Sequence, residues 1–203
     1  MPTTKHLLSL ASLTALTALT VLGACSQSAK TSDSTSTANT TTVTTTATAT
    51  AHAVVSDSAG KQVATATFTQ DSAGNVHVQM HAQGLTPGEH GVHFHAVGTC
   101  TAPGFASAGG HFNPDSTKHH GLSNPAGPHA GDLPNMLVDS TGKADYTAVS
   151  STVSLAPGAK SLFDADGSAL VIHATADDNM SDPAGNAGSR VGCGVITSGP
   201  ASA

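Results

Sequence analysis

Along much of the chain after residue 50, apolar and polar side chains change places at almost every step. In Val76-His77-Val78-Gln79-Met80-His81-Ala82 the apolar residues occupy alternate positions. A β-strand sends successive side chains to opposite faces, so this stretch presents one apolar and one solvated face. Similar alternation predicts strands over 51–57, 62–70 and 75–84, separated by Ser-Ala-Gly-Lys and Ser-Ala-Gly-Asn turns. It returns over 135–139, 144–153 and 169–174, and again in a closing strand that contains Cys193. His52, His77 and His81 fall on the polar side of this pattern and read as structural.

Two stretches break the pattern. From 97 to about 131 there is no sustained period, only Gly, Pro, Asn and His, and an irregular loop of that length in a compact domain needs a staple such as a metal or a disulfide. Residues 177–189 form a second polar, Gly-rich loop that leads to Arg190.

The start of the chain follows other rules. Residues 1–24 carry one positive charge, Lys5, then an apolar run from Leu7 to Leu22, then Leu22-Gly23-Ala24-Cys25. This resembles a bacterial lipoprotein signal peptide, which implies cleavage before Cys25 and lipidation of its thiol; a plain secretory signal with an incidental cysteine is the alternative. Residues 25–50 are almost entirely Ser, Thr and Ala, with nothing periodic to bury, and are expected to be a disordered tether. The folded domain is then 51–203.

Composition narrows the picture. With 203 residues there is room for one ordinary domain with a real core. Five Phe, one Tyr and no Trp beside abundant Gly, Thr, Ala and Val favour short strands and many turns over helices. Removing residues 1–24 with Lys5 takes the formal charge from −6 to −7, which leaves no basic surface for nucleic acid. Twelve histidines against seven Lys and Arg is the anomaly, and clustered imidazole is what a site for borderline metals requires. On a strand, His93 and His95 project from one face at the spacing of two ligands of one ion, while Phe94 points into the interior.

Five motifs together resemble the copper,zinc superoxide dismutases: Gly-Val-His93-Phe-His95; Gly-His111-Phe-Asn-Pro; His120-Gly through His129-Ala-Gly-Asp132; Val-Ile-His173-Ala-Thr-Ala-Asp177-Asp; and Gly-Asn-Ala-Gly-Ser-Arg190-Val-Gly-Cys193-Gly-Val-Ile. They stand in the family's order across about residues 51–197, which is far more specific than any one motif. The resemblance implies an all-β fold, a Greek-key antiparallel β-barrel or sandwich of about eight strands with long metal-binding and electrostatic loops; this family is itself a known example of sandwich architecture. It also implies one copper and one zinc per chain. Copper would be held by His93, His95, His111 and His173, and zinc by His111, His120, His129 and Asp132, with His111 shared. Spacing from His111 permits either His119 or His120; Gly121 and the distance to His129 match His120 to the family. His90 matches a family histidine with a packing or hydrogen-bonding role.

The resemblance assigns Asp177 to joining ligand imidazoles of the two sites, Arg190 to attracting superoxide, and His111 to proton delivery as well as binding. It pairs Cys100 with Cys193, leaving Cys25 for lipid. The implied activity is dismutation of superoxide to oxygen and hydrogen peroxide, protecting the cell envelope; the alternative is a non-catalytic copper/zinc-binding or buffering module on the same fold. Superoxide and a lipid anchor in a membrane are the expected partners, a homodimer is among the family's assemblies, and the implied location is extracytoplasmic, on the periplasmic or cell-surface side of a bacterial membrane. One feature departs from many family members: loop 177–189 contains no lysine and holds Asp177, Asp178 and Asp182, so steering would rest on Arg190 and the metals, or on Lys118 if the fold brings it near.

Overall fold

The computed structural model describes residues 49–199. The expected signal peptide of residues 1–24, the lipidation site Cys25 and the tether as far as residue 48 lie outside the described residues. Extended segments follow in the order β1 (Ala49–Ser56), β2 (Gln62–Gln70), β3 (Val76–Gln83), β4 (Gly88–His90), β5 (Val92–His95), β6 (Met136–Val138), β7 (Lys143–Ser150), β8 (Ala169–His173), β9 (Arg190–Val195) and β10 (Thr197–Ser198). One short 3₁₀ turn, Ala106–Ala108, interrupts the long loop.

The main sheet runs in the order β5-β8-β9-β1-β2-β3-β7, with β10 also paired to β1. Each of these pairings is antiparallel. A single segment with two partners links the main sheet to a second, two-stranded one. Its first half, β4, pairs with β6, and its second half, β5, pairs with β8. A turn at residues 139–142 then carries β6 into β7. Two connections cross the barrel, from β3 to β4 and from β7 to β8, which is a Greek-key path. The molecule is thus an all-β antiparallel barrel.

Alternation places the core. Along β3 the side chains run buried and exposed in strict turn, with Val76, Val78, Met80 and Ala82 inside. Phe94 enters this core from β5 and meets Phe68 of β2 with ring centroids 5.7 Å apart. Leu162, Leu170, Ile172, Met136 and Leu133 complete the interior. His77 and His81 lie outside, against Asp71 and Asp145, and His52 bonds the Gly199 carbonyl.

Strand ends differ from the sequence pattern where pairing decides. Strand β1 includes Ala49 and Thr50, which pair with Gln70 and Thr69. Strand β7 stops at Ser150, opposite Val76, and Thr152 turns away to donate its hydroxyl to the Ala130 carbonyl at 2.8 Å.

Candidate metal centre

Strand β5 is buried on both faces. Phe94 and Val92 face the core, and His93 and His95 face the long loops, each almost wholly hidden from solvent. The backbone of Phe94 fixes what crosses it: its N–H donates to Gly131 at 2.9 Å, and its carbonyl accepts from Phe112 at 2.8 Å. These bonds pin both arms of the irregular loop across the strand. They set His111 beside His95 and Asp132 beside His93 as isolated bridges. At the end of β8, paired with β5, stands His173.

Two groups of side chains then converge. His93, His95, His111 and His173 bring one nitrogen each within 4.8 Å of one another, as do the donor atoms of His111, His120, His129 and Asp132. In each imidazole of the first group one nitrogen is engaged by protein and the other is not. His93 Nε2 donates to Asp177 at 2.7 Å, His95 Nδ1 to the Gly109 carbonyl at 3.0 Å, His111 Nδ1 to Asp132 at 2.8 Å and His173 Nδ1 to the Gly188 carbonyl at 3.3 Å. The other nitrogens, His93 Nδ1 and Nε2 of His95, His111 and His173, are buried without a hydrogen-bond partner in the protein. A buried polar atom of this kind is costly unless something binds it. Each ring is oriented by the bond at its far side, which is how ligand imidazoles are held.

His111 belongs to both groups. On the second side, Asp132 accepts from His111 Nδ1, from His120 Nδ1 at 3.0 Å, and from the backbone N–H groups of Gly121 and His129. Asp177 joins the groups from behind, taking His93 on one oxygen and His120 Nε2 at 3.0 Å on the other.

Electrostatics follow this layout. Burial outweighs the pull of Asp177 and holds His93 down at about 4. Burial, reinforced by the neighbouring imidazoles and Arg190, takes His95 to about 2 and His173 to about 3. These three rings are therefore neutral and available as donors. Burial opposes charge on His120 as well, but hydrogen bonds to Asp132 and Asp177 win and raise it to about 9. Burial disfavours ionisation of both carboxylates, yet the bonds from His111 and His120 to Asp132, and from His120 and His93 to Asp177, carry them well below the ordinary range.

Arg190 opens β9 with its guanidinium half-buried, donating Nη1–H to the Phe105 carbonyl at 2.6 Å and Nη2–H to the Gly109 carbonyl at 2.5 Å. Beside it lies an open cleft of about 630 Å³ between loop 103–106 and Gly188–Ser189. Cys100 and Cys193 are bonded, with Cα atoms 5.6 Å apart, and hold this loop to β9 through a small cluster with Phe105, Ala108 and Val171.

The structure thus gathers all seven residues named as metal ligands, with Asp177 against both groups. His119 is exposed and bonds Asp182 rather than Asp132. His90 is buried and donates Nδ1–H to the His173 carbonyl at 2.6 Å. Lys118 sits with Asp115 and Lys160 around a different, smaller cavity and does not line the Arg190 cleft. Sequence reading missed Asn135, whose side chain donates to the Asp177 carbonyl at 2.8 Å and accepts from the Asp177 N–H at 2.9 Å. The alternating pattern absorbed Asn135 into a strand, although a polar residue so soon after Asp132 was a usable signal. It also missed the Gly109 carbonyl, for which a sequence offers none.

An all-β antiparallel fold that brings two histidine-rich groups together, with His111 common to both, has the donor sets of a metalloprotein. Residues 62–196 match the family described as copper/zinc superoxide dismutase (SODC), and the chain belongs to that family. It is 47% identical over 148 residues to "Superoxide dismutase [Cu-Zn] 2" of Aquifex aeolicus, covering 72% of this chain and 85% of that one. It is 45% identical over 148 residues to "Superoxide dismutase [Cu-Zn]" of Caulobacter vibrioides, covering 72% and 84%. Among solved structures, a SOD-like protein from Bacillus subtilis is similar with a TM-score of 0.67 and 38% identity, over 71% of this chain and 96% of that one. The chain is accordingly a superoxide dismutase, and its metals are copper and zinc. The donors fit: four imidazoles suit tetragonal copper(II), and three with a carboxylate suit tetrahedral zinc.

Proposed function

We propose that copper is held by His93, His95, His111 and His173, that zinc is held by His111, His120, His129 and Asp132, and that His111 joins the two. The observation that carries this reading is the convergence of two donor groups on His111: in the first, each ring keeps one buried nitrogen without a protein partner, and in the second, His120, His129 and Asp132 gather around the same imidazole, with His129 Nδ1 unpartnered 3.7 Å from Asp132. When bound, copper supplies one-electron redox chemistry, so that one superoxide is oxidised to oxygen and a second is reduced to hydrogen peroxide.

The chain's own residues do the rest. Arg190 attracts and orients the anion, its planar guanidinium held by two carbonyls. His111 Nε2 is the atom that would hold a proton and return it to product, and Nδ1, which lies beside Asp132 at 2.8 Å, is the nitrogen that would serve zinc. Asp177 fixes the orientation of His93 and His120 together.

The signal-like residues 1–24, Cys25 and the polar stretch 25–50 support an extracytoplasmic enzyme, lipid-anchored through Cys25 on the periplasmic or cell-surface side, that removes superoxide at the envelope. Metal content and dismutation rate, measured before and after copper removal, test the catalytic reading. One copper and one zinc per chain, with activity lost on copper removal and regained on its return, is the expected result. Full metal content with negligible turnover would move the assignment to a buffering module.

A further inference from the structure

The adjacent pair His119-His120 meets Asp182 of the loop after β8 through contacts that the proposed chemistry leaves unused. Asp182 projects from that loop back onto the long loop. Its Oδ1 accepts the backbone N–H of His120 at 2.7 Å, and its Oδ2 accepts from His119 Nδ1 at 2.6 Å. Bonds from the Ser123 N–H to the Asn179 carbonyl at 3.0 Å and from Asn124 Nδ2 to the Met180 carbonyl at 3.2 Å stitch the same two loops. Gly121 and Gly185, both at positive φ, let the loops approach so closely that a Cβ at either would overlap Asn179 or Asp177.

We propose that Asp182 is a positioning residue for His120: it fixes the backbone of the zinc-side ligand from the opposite loop, and so governs how firmly zinc is retained. The His120 ring is bounded by Asp132 on one nitrogen and Asp177 on the other, so its backbone is the remaining degree of freedom. Asp182 removes it. The acceptor is the essential feature, and His119 serves to aim the carboxylate. This rests on the reading of His120 as a zinc ligand.

The test is zinc release from the copper- and zinc-loaded enzyme into a chelator, with amide hydrogen exchange at His120 on the same samples. Asp182→Ala should release zinc about tenfold faster, within the range for lost outer contacts of a metal ligand, while copper content stays full. Its His120 amide should exchange faster as well. Asp182→Asn keeps an oxygen for the His120 N–H and should return both readouts most of the way to wild type. Wild-type release from Asp182→Ala, or an Asp182→Asn variant as leaky as the alanine, would overturn the proposal. His120→Ala separates the two levels: zinc lost there but retained normally in Asp182→Ala sinks the role of Asp182 alone, whereas full zinc in His120→Ala sinks the ligand assignment and the proposal with it.

Discussion

His95 and Arg190 share one acceptor: the carbonyl of Gly109 takes the Nδ1–H of the imidazole at 3.0 Å and the Nη2–H of the guanidinium at 2.5 Å. A ring of the proposed copper group and the side chain proposed to meet the substrate are thereby placed by a single peptide oxygen. Arg190→Glu should cut the rate constant for superoxide by at least about tenfold, since it inverts the charge at the mouth of the site. Bound copper should stay unchanged, because His95 keeps its half of the shared carbonyl. An unaltered rate at full copper content would remove Arg190 from the mechanism.

Asp177 and Asp178 are neighbours with separate tasks. Asp177 reaches His93 and His120 at once, whereas Asp178, among the described residues, accepts from Met180, Ser181 and Asn186 within its own loop. Asp177→Ala should weaken metal retention about 10- to 100-fold, and Asp178→Ala should leave it near wild type. Competition with a chelator reads both, and equal losses in the two variants would contradict the division.

Much of this site was legible because strands report their own geometry. The alternation around Phe94 places His93 and His95 on one face without further knowledge, and the buried pattern of β3 follows from sequence alone. Loops do not report theirs. That His120 and not His119 turns inward depends on Asp182, distant in sequence, and on Gly121 packing against Asn179. The Gly109 carbonyl is invisible for a simpler reason, since backbone oxygens occur at every position.

The titration of the site sets how the metal-free protein responds to pH. His93, His95 and His173 have depressed values of about 4, 2 and 3 when folded, against an ordinary value near 6.5. Below about pH 6.5 the unfolded chain therefore binds protons that the folded state refuses, and stability falls with pH by up to about 1.4 kcal/mol per group and pH unit. His120, raised to about 9, acts the other way: its contribution is full below about 6.5 and is lost as pH rises through about 9. Asp132 and Asp177, both depressed, add stability that disappears only in stronger acid. Thermal unfolding of the metal-free protein should peak near neutral pH. A melting temperature that rises steadily from pH 6.5 to 4 would contradict these environments.

The disulfide acts on stability and on the site together. It closes a sequence separation of 93 residues, and in the chain-entropy model such a loop is worth about 4–5 kcal/mol. The same bond holds the loop whose Phe105 and Gly109 carbonyls receive Arg190. Replacing both Cys100 and Cys193 by Ser should lower stability by several kcal/mol on that model and slow superoxide turnover even where the protein remains folded. Denaturant melts beside rate measurements on the folded fraction would test this, and loss of stability with an unchanged rate would separate the disulfide from Arg190.

Superoxide dismutases are a known instance of electrostatic steering, but the cleft that Arg190 lines here carries little charge to steer with. Of the residues lining the cleft beside Arg190, the others are Ser58, Pro103, Gly104, Ala106, Gly188, Ser189 and Val191, all uncharged. Asp177, Asp178 and Asp182 are each engaged within the protein, and Lys118 lies at another cavity. On the proposed reading, attraction would then rest on Arg190 and the bound metals at short range. Screening shortens the Debye length from roughly 30 Å at 0.01 M salt to about 8 Å at 0.15 M, which weakens distant charges far more than one beside the reacting centre. The rate constant should accordingly fall by less than about threefold across that range, well short of the tenfold or greater enhancements that steering provides elsewhere. Arg190→Gln should flatten the remaining slope. A steep decline with salt that survives Arg190→Gln would mean that a basic patch away from this cleft guides the anion in.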